Sequence, residues 1–307
     1  MTKMAENKEK EPLKVVFHGS YEDIPENSEI VIEEGIEEIA EDSFSGFECL
    51  KKIIFPKSLV KVGAGAFANC KSLETVYMNE GLLEIGDEAF SFCPSIKGIR
   101  MPDSVKRIGE GAFEGCASLS SLKISESVYM IGAGAFAFCF NLVDVTVPDS
   151  CVLLEFNAFA NCFSLEGVKL SENMALIDES TFEGCRSLKD VDLPSRLSKI
   201  GRGAFRGCAS LTSLILPLSV SSIGFDAFAK CSALRRIAIP YNLRELEDGD
   251  VFRGCDSLAE ISFGGSREEW ESLLHGSTLT VEKSDLTVLT PRVMFLNLNK
   301  KDKQSEI

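Results

Sequence analysis

Phenylalanine recurs at nearly constant spacing through most of the chain, and this period constrains the fold more than any other feature. Nine residues three positions after a repeat phenylalanine are cysteines, and a leucine or isoleucine follows three positions later. The repeat phenylalanines lie 23 residues apart, the last after 24: Phe44, Phe67, Phe90, Phe113, Phe136, Phe159, Phe182, Phe205, Phe228 and Phe252. A leucine-rich period of about 20–29 residues predicts a solenoid in which each repeat forms one rung.

The pattern within one repeat, AFxxCxxLxxIxIPxSVxxIGxx, predicts the structure of a rung. In LxxIxI the last two apolar residues are two apart, so they share one face of a short strand. A proline such as Pro102 or Pro148 lacks an N–H donor and ends that strand. Ala-Phe-x-x-Cys is expected to form a short helical or 3₁₀ turn. The apolar columns then stack into one core at the ~4.8 Å spacing of strands.

Residues Ile108 to Ile124, which read IGEGAFEGCASLSSLKI, carry one clear copy of this unit. The repeats resemble the BspA-like (Treponema pallidum type) leucine-rich repeat family over about Glu29 to Phe263. The resemblance implies an α/β fold: a curved, right-handed leucine-rich-repeat solenoid of about ten 23-residue rungs. It implies short parallel strands in a sheet on one side, joined by short helical turns. It also implies adhesion or another form of protein binding, often at a cell surface.

Both ends of the array differ from the repeats. The chain is therefore predicted to have three segments, with the solenoid in the middle and a cap at each of its ends. The boundaries are 1–28 for a polar N-terminal segment and the start of a cap, 29–263 for the solenoid, and 264–307 for a C-terminal cap and polar tail. In the C-terminal cap, Ser266 and Glu269 have the spacing of a capping box and predict a short helix. The residues expected to cover the last rung are Trp270, Leu273 and Leu274. Short strands are expected at 279–281 and 286–289, followed by an apolar run over 293–298.

Composition and charge exclude several classes of protein. The 307 residues include 32 lysines and arginines against 47 aspartates and glutamates, a net charge of −15, and 45% are hydrophobic. This balance fits a folded chain and argues against duplex DNA or anionic lipid as partners, since both need clustered basic residues. No apolar stretch approaches ~20 residues, so no membrane insertion is expected. Residues 1–13 lack the apolar region of a secretion signal, so a cytoplasmic location is expected.

The cysteines are interpreted as core residues. Nine of the eleven occupy one repeat column, and only Cys49 and Cys151 stand outside it. No C-x-x-C motif occurs, and the only histidines are His18 and His275, so a zinc site has little support. A buried cysteine behaves as a small apolar residue. A thiol redox sensor acting through Cys49 or Cys151 is the weak alternative.

Motifs for catalysis and cofactor binding are also discarded. The G-x-G-x-x-A pattern at Gly63 and again at Gly132 recurs in register with the repeat, which indicates turn glycines rather than a dinucleotide site. Neither histidine lies beside a nucleophile of the repeats. We therefore expect no enzymatic activity, no cofactor and no metal.

An acidic column follows the strands of five successive rungs. Its members are spaced by 23 residues: Glu80, Asp103, Glu126, Asp149 and Glu172. Like charges ~5 Å apart repel by about 0.8 kcal/mol per neighbouring pair even in water. The column is either a solvated stripe, offset by Arg100, Lys123 and Lys169, or a site for a cation or a basic partner.

Two candidate binding surfaces follow from the repeat pattern. The first is an apolar patch, because positions that are polar or small elsewhere become large and apolar within a band of ~15 Å along the solenoid: Tyr129, Met130, Phe138, Phe140, Val152, Leu153, Phe156 and Phe163. If the side chains of this patch are exposed, they mark an interface. If they are buried, they form a locally thicker core. The second surface is a strand-face row, whose residues alternate with inward ones: Tyr77, Arg100, Lys123, Thr146, Lys169 and Asp192.

Together these features predict a non-enzymatic protein–protein interaction module, a repeat scaffold with a rigid and possibly adhesin-like surface. The alternative is a structural solenoid that associates with itself. The expected partner is a protein of unknown identity or a second copy of the chain, and not a nucleic acid.

Overall fold

The computed structural model describes residues 14–17, 28–247, 251–274, 281–283, 288–289 and 291–296. Each repeat forms one rung, and the ten rungs that carry the repeat phenylalanines stack in parallel. This confirms the predicted solenoid of about ten rungs. Within the described residues, no helix has the length and apolar character needed to cross a membrane.

Every rung contributes a strand to a first ladder, which we call ladder A. Its strands are β1 Lys14–Phe17, β2 Ser28–Ile32, β4 Leu50–Ile54, β6 Thr75–Tyr77, β8 Gly98–Arg100, β10 Ser121–Lys123, β12 Asp144–Thr146, β14 Gly167–Lys169, β16 Asp190–Asp192, β18 Ser213–Ile215, β20 Arg236–Ile239, β22 Glu260–Phe263 and β25 Arg292–Phe295. They pair in parallel within four hydrogen-bonded sheets. The central residue of each three-residue strand, such as Ile99, faces the core, as the alternation predicts.

A second ladder, ladder B, is formed by strands of two residues. These are β3 Glu38–Ile39, β5 Lys61–Val62, β7 Glu84–Ile85, β9 Arg107–Ile108, β11 Met130–Ile131, β13 Leu153–Leu154, β15 Leu176–Ile177, β17 Lys199–Ile200, β19 Ser222–Ile223 and β21 Glu245–Leu246. They pair in parallel in two sheets, from β3 to β13 and from β15 to β21. The resemblance implied a sheet on one side, whereas the structure has a second strand in each rung.

The repeat phenylalanines form the centre of the core. Neighbouring rings stack with centroids 5.0–5.9 Å apart and planes within 17° of parallel. Phe136 and Phe159 are fully buried, as predicted. Each stacked pair adds ~0.5–1.5 kcal/mol to the stabilisation from burying apolar area.

The segment that carries the phenylalanine returns the chain from ladder B to ladder A; we call it the return turn, Gly109–Cys116 in one rung. Its hydrogen bonds run from residue i to i+3, as from the Cys116 N–H to the Phe113 carbonyl at 3.2 Å. Gly111 and Gly115 have φ of 55° and 68°, which prevents the turn from continuing as a helix. The expected helical turn is therefore two linked turns. The described residues contain one helix, α1 Arg267–Leu273, which lies beyond the repeats.

A glycine follows six of the ten ladder B strands and lies against the backbone of the preceding rung. A Cβ on Gly132 would lie 2.6 Å from the Glu110 nitrogen and 2.7 Å from the Gly109 carbonyl carbon of the preceding rung. Glu155 and Asp178 occupy this position in two successive rungs, and ladder B is interrupted between them, at β13 and β15.

The C-terminal end is covered as the capping-box pattern predicts. The Glu269 N–H donates to Ser266 Oγ at 3.2 Å, and the Ser266 N–H donates to Glu269 Oε2 at 2.8 Å. Trp270 is buried with its ring 5.2 Å from Phe263, and Leu273 is buried beside it. Beyond the helix, β23 Val281–Glu282 pairs antiparallel with β24 Val288–Leu289, and β25 extends ladder A past β22. At the other end, β1 adds a strand within the segment predicted to be polar.

Candidate protein-binding surface

The structure divides the predicted apolar patch into two groups on different parts of the rung. Tyr129, Met130, Val152 and Leu153 lie on the outer side of ladder B, at β11 and β13. Met130 and Leu153 are paired residues of the ladder, and the Val152 N–H donates to the Tyr129 carbonyl. Tyr129, Val152 and Leu153 are exposed, because in each strand the second residue alone faces the core.

Ladder B carries further exposed apolar residues that sequence reasoning missed. Val60 and Leu83 occupy the same repeat position as Tyr129, and Leu176 occupies that of Met130. Lys106 and Arg107 interrupt the apolar band between Leu83 and Tyr129. Reading the two repeat positions along the whole array, rather than in the middle rungs alone, would have found these residues.

The second group lies on the return turns and includes a cluster of rings that contact one another. Phe138 meets Phe140 edge to face with centroids 6.2 Å apart, and Phe140 stacks on Phe163 at 4.8 Å. Phe138 and Phe140 are 38% and 37% exposed, and the half-buried Phe163 lies under the guanidinium of Arg186 at 4.4 Å. We call Phe138, Phe140 and Phe163 the aromatic cluster. These rings stack on each other outside the buried Cys139 column, so they do not form a thicker core.

Phe138 has a backbone conformation that a bulky residue rarely adopts. Its φ is 60°, and Phe92, which occupies the same repeat position two rungs earlier and is half exposed, has φ of 53°. Most other rungs have glycine or asparagine here, for example Gly115 and Asn161. The left-handed region costs an ordinary residue ~1–2 kcal/mol. Stability alone would favour glycine, yet two rungs present an exposed ring.

A groove of about 190 Å³ lies beside the aromatic cluster. Its walls include Phe138 and Phe156 on one side and the carboxylates of Glu88, Glu110 and Glu114 on the other. Partial burial and the negative charges of Glu88 and Glu110 raise the pKa of Glu114. No cluster of three or more metal-ligating side chains occurs in the described part of the chain. The groove therefore combines an aromatic face with negative charge.

The predicted strand-face row is aligned on the exposed side of ladder A. Arg100 pairs in register with Lys123, and Lys169 pairs with Thr146 and Asp192 on its two sides. Tyr77 is exposed in β6, with the Lys52 ammonium 5.2 Å from its ring centroid. The basic side chains of this row form no ion pair with any residue that the structure describes. A binding role for the row stays a prediction.

The acidic column is tied to the backbone of the solenoid. The Asp103 N–H donates to Glu80 Oε1 at 3.3 Å, and the Glu172 N–H donates to Asp149 Oδ1 at 3.0 Å. Glu172 Oε2 in turn accepts from the Ser195 N–H at 3.2 Å. Three of the five carboxylates, those of Glu80, Asp149 and Glu172, thus accept a hydrogen bond from the backbone of the next rung. The expected offset by basic strand residues does not occur as ion pairs among the described residues.

The column cysteines are buried thiols that also link the rungs. Their Sγ–H groups donate to the phenylalanine carbonyl of the preceding rung, as from Cys116 to Phe90 at 3.3 Å. Burial raises the pKa of Cys116 and Cys162 to about 12 and that of Cys151 to about 11. These thiols stay protonated and unreactive near neutral pH, so the redox alternative weakens. Cys49 is half buried, and the two histidines lie outside the described residues.

The chain is similar to several solved structures of bacterial proteins. The pneumococcal vaccine antigen PcpA is 20% identical with a TM-score of 0.52, covering 92% of this chain and 81% of that chain. A leucine-rich repeat protein from Bacteroides ovatus is 24% identical with a TM-score of 0.49, covering 92% of both chains. The leucine-rich repeat protein of T. pallidum is 28% identical with a TM-score of 0.45, covering 65% of this chain and 78% of that one.

Sequence comparison gives the family. None of the curated proteins matches the chain significantly in sequence. The model of the BspA-type leucine-rich repeat region, in six copies, matches residues 37–165 and 153–276, which is most of the chain. These residues contain the repeat phenylalanines from Phe44 to Phe252, all of ladder B, and ladder A from β4 to β22. The chain therefore belongs to the BspA-type leucine-rich repeat family.

Proposed function

We propose that this protein is a non-enzymatic scaffold that binds another protein through the aromatic cluster and the residues around it. The observation that carries the proposal is a set of rings in contact outside the core, of which Phe138 and Phe140 are exposed and Phe163 is half-buried. A contiguous apolar surface on a soluble protein marks an interaction site, and aromatic residues are enriched at interfaces. The strained backbone at Phe138 supports the same conclusion.

The solenoid holds these rings in fixed positions before any partner arrives. The aromatic cluster spans adjacent rungs whose core rings, Phe136 and Phe159, stack with centroids 5.4 Å apart. The backbone beneath it is bonded from rung to rung, with the Phe138 N–H donating to the Ala160 carbonyl at 2.8 Å. Because such a surface loses little conformational freedom on binding, more of its contact energy remains for affinity.

Self-association is the second candidate function, and the apolar band on ladder B favours it. Val60, Leu83, Tyr129, Val152 and Leu176 lie exposed along neighbouring strands. A net charge of −15 opposes the approach of two copies, so we place the hetero-partner first. Light scattering of the purified chain over a range of concentrations separates the two: a monomer argues against self-association.

The test of the proposed function is a double substitution in the aromatic cluster, Phe140→Asp with Phe163→Asp. The matched control is Ile215→Asp, because Ile215 is 78% exposed on ladder A, away from the cluster. All three proteins are used as bait in extracts and surface fractions of the native host. We expect a partner that the unchanged chain and the control retain and the double variant loses, with similar melting temperatures. Equal retention by all three would contradict the proposal.

We also propose that the protein works in the cytoplasm. All eleven cysteines are free thiols, and nine of them stack through the core. Reducing compartments maintain thiols in this state, whereas oxidising ones favour disulfides. Fractionation of host cells with an antibody against the chain tests the location, and recovery from the intact cell surface would contradict it.

A further inference from the structure

The groove beside the aromatic cluster has a counterpart three repeats later in the chain. Five lining positions of the groove can be matched with the residues 69 positions on: Glu110, Glu114, Ala133, Ala137 and Phe156 correspond to Glu179, Glu183, Arg202, Arg206 and Phe225. The two glutamates and the phenylalanine are the same in both copies. Two alanines of the groove are arginines in the later copy, and three further lining residues, Glu88, Phe138 and Asn157, correspond there to Asn157, Gly207 and Asp226.

In the later copy one arginine, Arg202, lies over the ring, and the other, Arg206, pairs with two acids. The Arg202 guanidinium lies 5.5 Å from the Phe225 ring centroid. Arg206 Nε lies 3.8 Å from Glu183 Oε1, and Arg206 Nη1 lies 3.0 Å from Asp226 Oδ2. In the same protein, the Phe225 ring and the carboxylates of Glu183 and Asp226 therefore accommodate guanidinium groups.

In the earlier copy the corresponding space is an open groove. Ala133 and Ala137 are buried at its floor and end in a methyl group where the later copy has a long basic side chain. Glu88, Glu110 and Glu114 form no ion pair with any described residue, in contrast to Glu183 and Asp226. The groove thus keeps Glu110, Glu114 and the Phe156 ring, has Asn157 where the later copy has Asp226, and lacks the two arginines.

We propose that this groove binds the guanidinium group of an arginine carried by a segment of another protein. The inference rests on the proposed function and names the chemistry of the partner. A planar guanidinium can lie against the Phe156 ring and donate hydrogen bonds to Glu110 and Glu114 together. A lysine ammonium is a compact charge and cannot make both contacts as well. The negative charge of the chain favours the approach of a basic segment.

The experiment titrates the ¹⁵N-labelled full chain with Nα-acetyl-L-arginine methylamide and follows backbone amide shifts. The controls are the lysine analogue and the citrulline analogue, which has the shape of arginine without its charge. We expect saturable shifts at groove amides such as Gly111, Gly134 and Ala160 with the arginine probe. The lysine analogue should bind at least threefold more weakly, and the citrulline analogue should leave these amides unchanged.

Two substitutions tie the response to the groove. Ala137→Arg places the chain's own guanidinium there, as Arg206 does in the later copy, and should reduce binding of the probe at least tenfold. Glu114→Gln should weaken binding at least threefold, whereas the matched Glu183→Gln should leave it unchanged. If Ala137→Arg does not fold, the comparison of Glu114→Gln with Glu183→Gln still tests whether the groove binds the probe.

Several results would overturn the inference. Equal shifts with arginine and citrulline, full binding by Ala137→Arg, or equal effects of the two glutamine variants would each show that the groove is not a guanidinium site. A dimer of the purified chain that dissociates on Ala137→Arg would assign the groove to a second copy. If the groove amides do not respond to the arginine probe but the Phe140→Asp, Phe163→Asp variant loses the partner, the guanidinium site is refuted and the proposed function is not. Partner retention by that variant refutes the proposed function.

Discussion

Two glycine-to-alanine substitutions should have opposite effects on stability, because one glycine lies against backbone and the other does not. A Cβ on Gly132 would lie 2.6 and 2.7 Å from two backbone atoms of the preceding rung. A Cβ on Gly98, within β8, would meet nothing closer than the Ser121 carbonyl at 3.5 Å, an ordinary contact. Alanine at position 132 would therefore clash with the backbone of the preceding rung, whereas alanine at position 98 would make only an ordinary contact.

The size of the effect at Gly132 follows from the shift that alanine requires. The two rungs must separate by about 0.7 Å to reach ordinary contact, which lengthens the bond from the Gly132 N–H to the Ile108 carbonyl, now 2.9 Å. Such overpacking typically costs ~1–3 kcal/mol, and a lost backbone hydrogen bond falls in the same range. Gly98→Ala should instead gain ~0.4–1 kcal/mol, because alanine restricts the unfolded chain.

Urea denaturation followed by circular dichroism measures both variants against the unchanged chain. We expect the midpoint to fall for Gly132→Ala and to stay or rise for Gly98→Ala, with similar slopes. Equal changes at the two sites, or a stabilised Gly132→Ala, would show that the close approach of ladder B strands does not set the rung spacing.

Three further predictions test the core, the thiols and the cap. Phe136→Ala should cost ~3–5 kcal/mol in unfolding free energy, because its ring stacks between those of Phe113 and Phe159; a melting shift of a degree or two would contradict the stacked core. At pH 8, a thiol reagent should modify Cys49 in the native chain and all eleven cysteines in denaturant, because burial raises the pKa of column thiols such as Cys116 to about 12 and keeps them protonated; rapid native modification of several thiols would contradict this. Truncation after Gly264 removes Trp270 from the last rung and should lower solubility, whereas an unchanged monomer on light scattering would contradict the cap.

The fold was predictable because the repeat places one kind of residue at one kind of site. Phe136 had to be buried once the rungs stacked at a fixed spacing, and the strand alternation places Arg100 beside Lys123. Ladder B was harder to predict, because a two-residue strand such as Arg107–Ile108 shows no alternation and reads as part of a turn. The hydrogen bond from the Asp103 N–H to Glu80 depends on the offset between rungs, which the sequence pattern does not contain.

The candidate site was predictable in part. Phe138 and Phe140 stand out because they replace small residues of the repeat, but their exposure depends on where the return turn directs them. A single repeat does not indicate the left-handed backbone at Phe138. It is indicated only by the glycines and asparagines that occupy the same position in most other repeats. The groove required a comparison of rungs three repeats apart, in which Ala137 replaces Arg206.

The most direct test of the proposed scaffold function is site-specific photo-crosslinking in the native host. A benzoylphenylalanine introduced at Phe140 lies in the aromatic cluster, and one introduced at Ile215 lies on ladder A at a more exposed position. If the aromatic cluster is the binding surface, we expect a crosslink from position 140 to another protein and none to that protein from position 215. Crosslinks to the same protein from both positions, or from position 215 alone, would contradict the claim that the aromatic cluster is the binding surface.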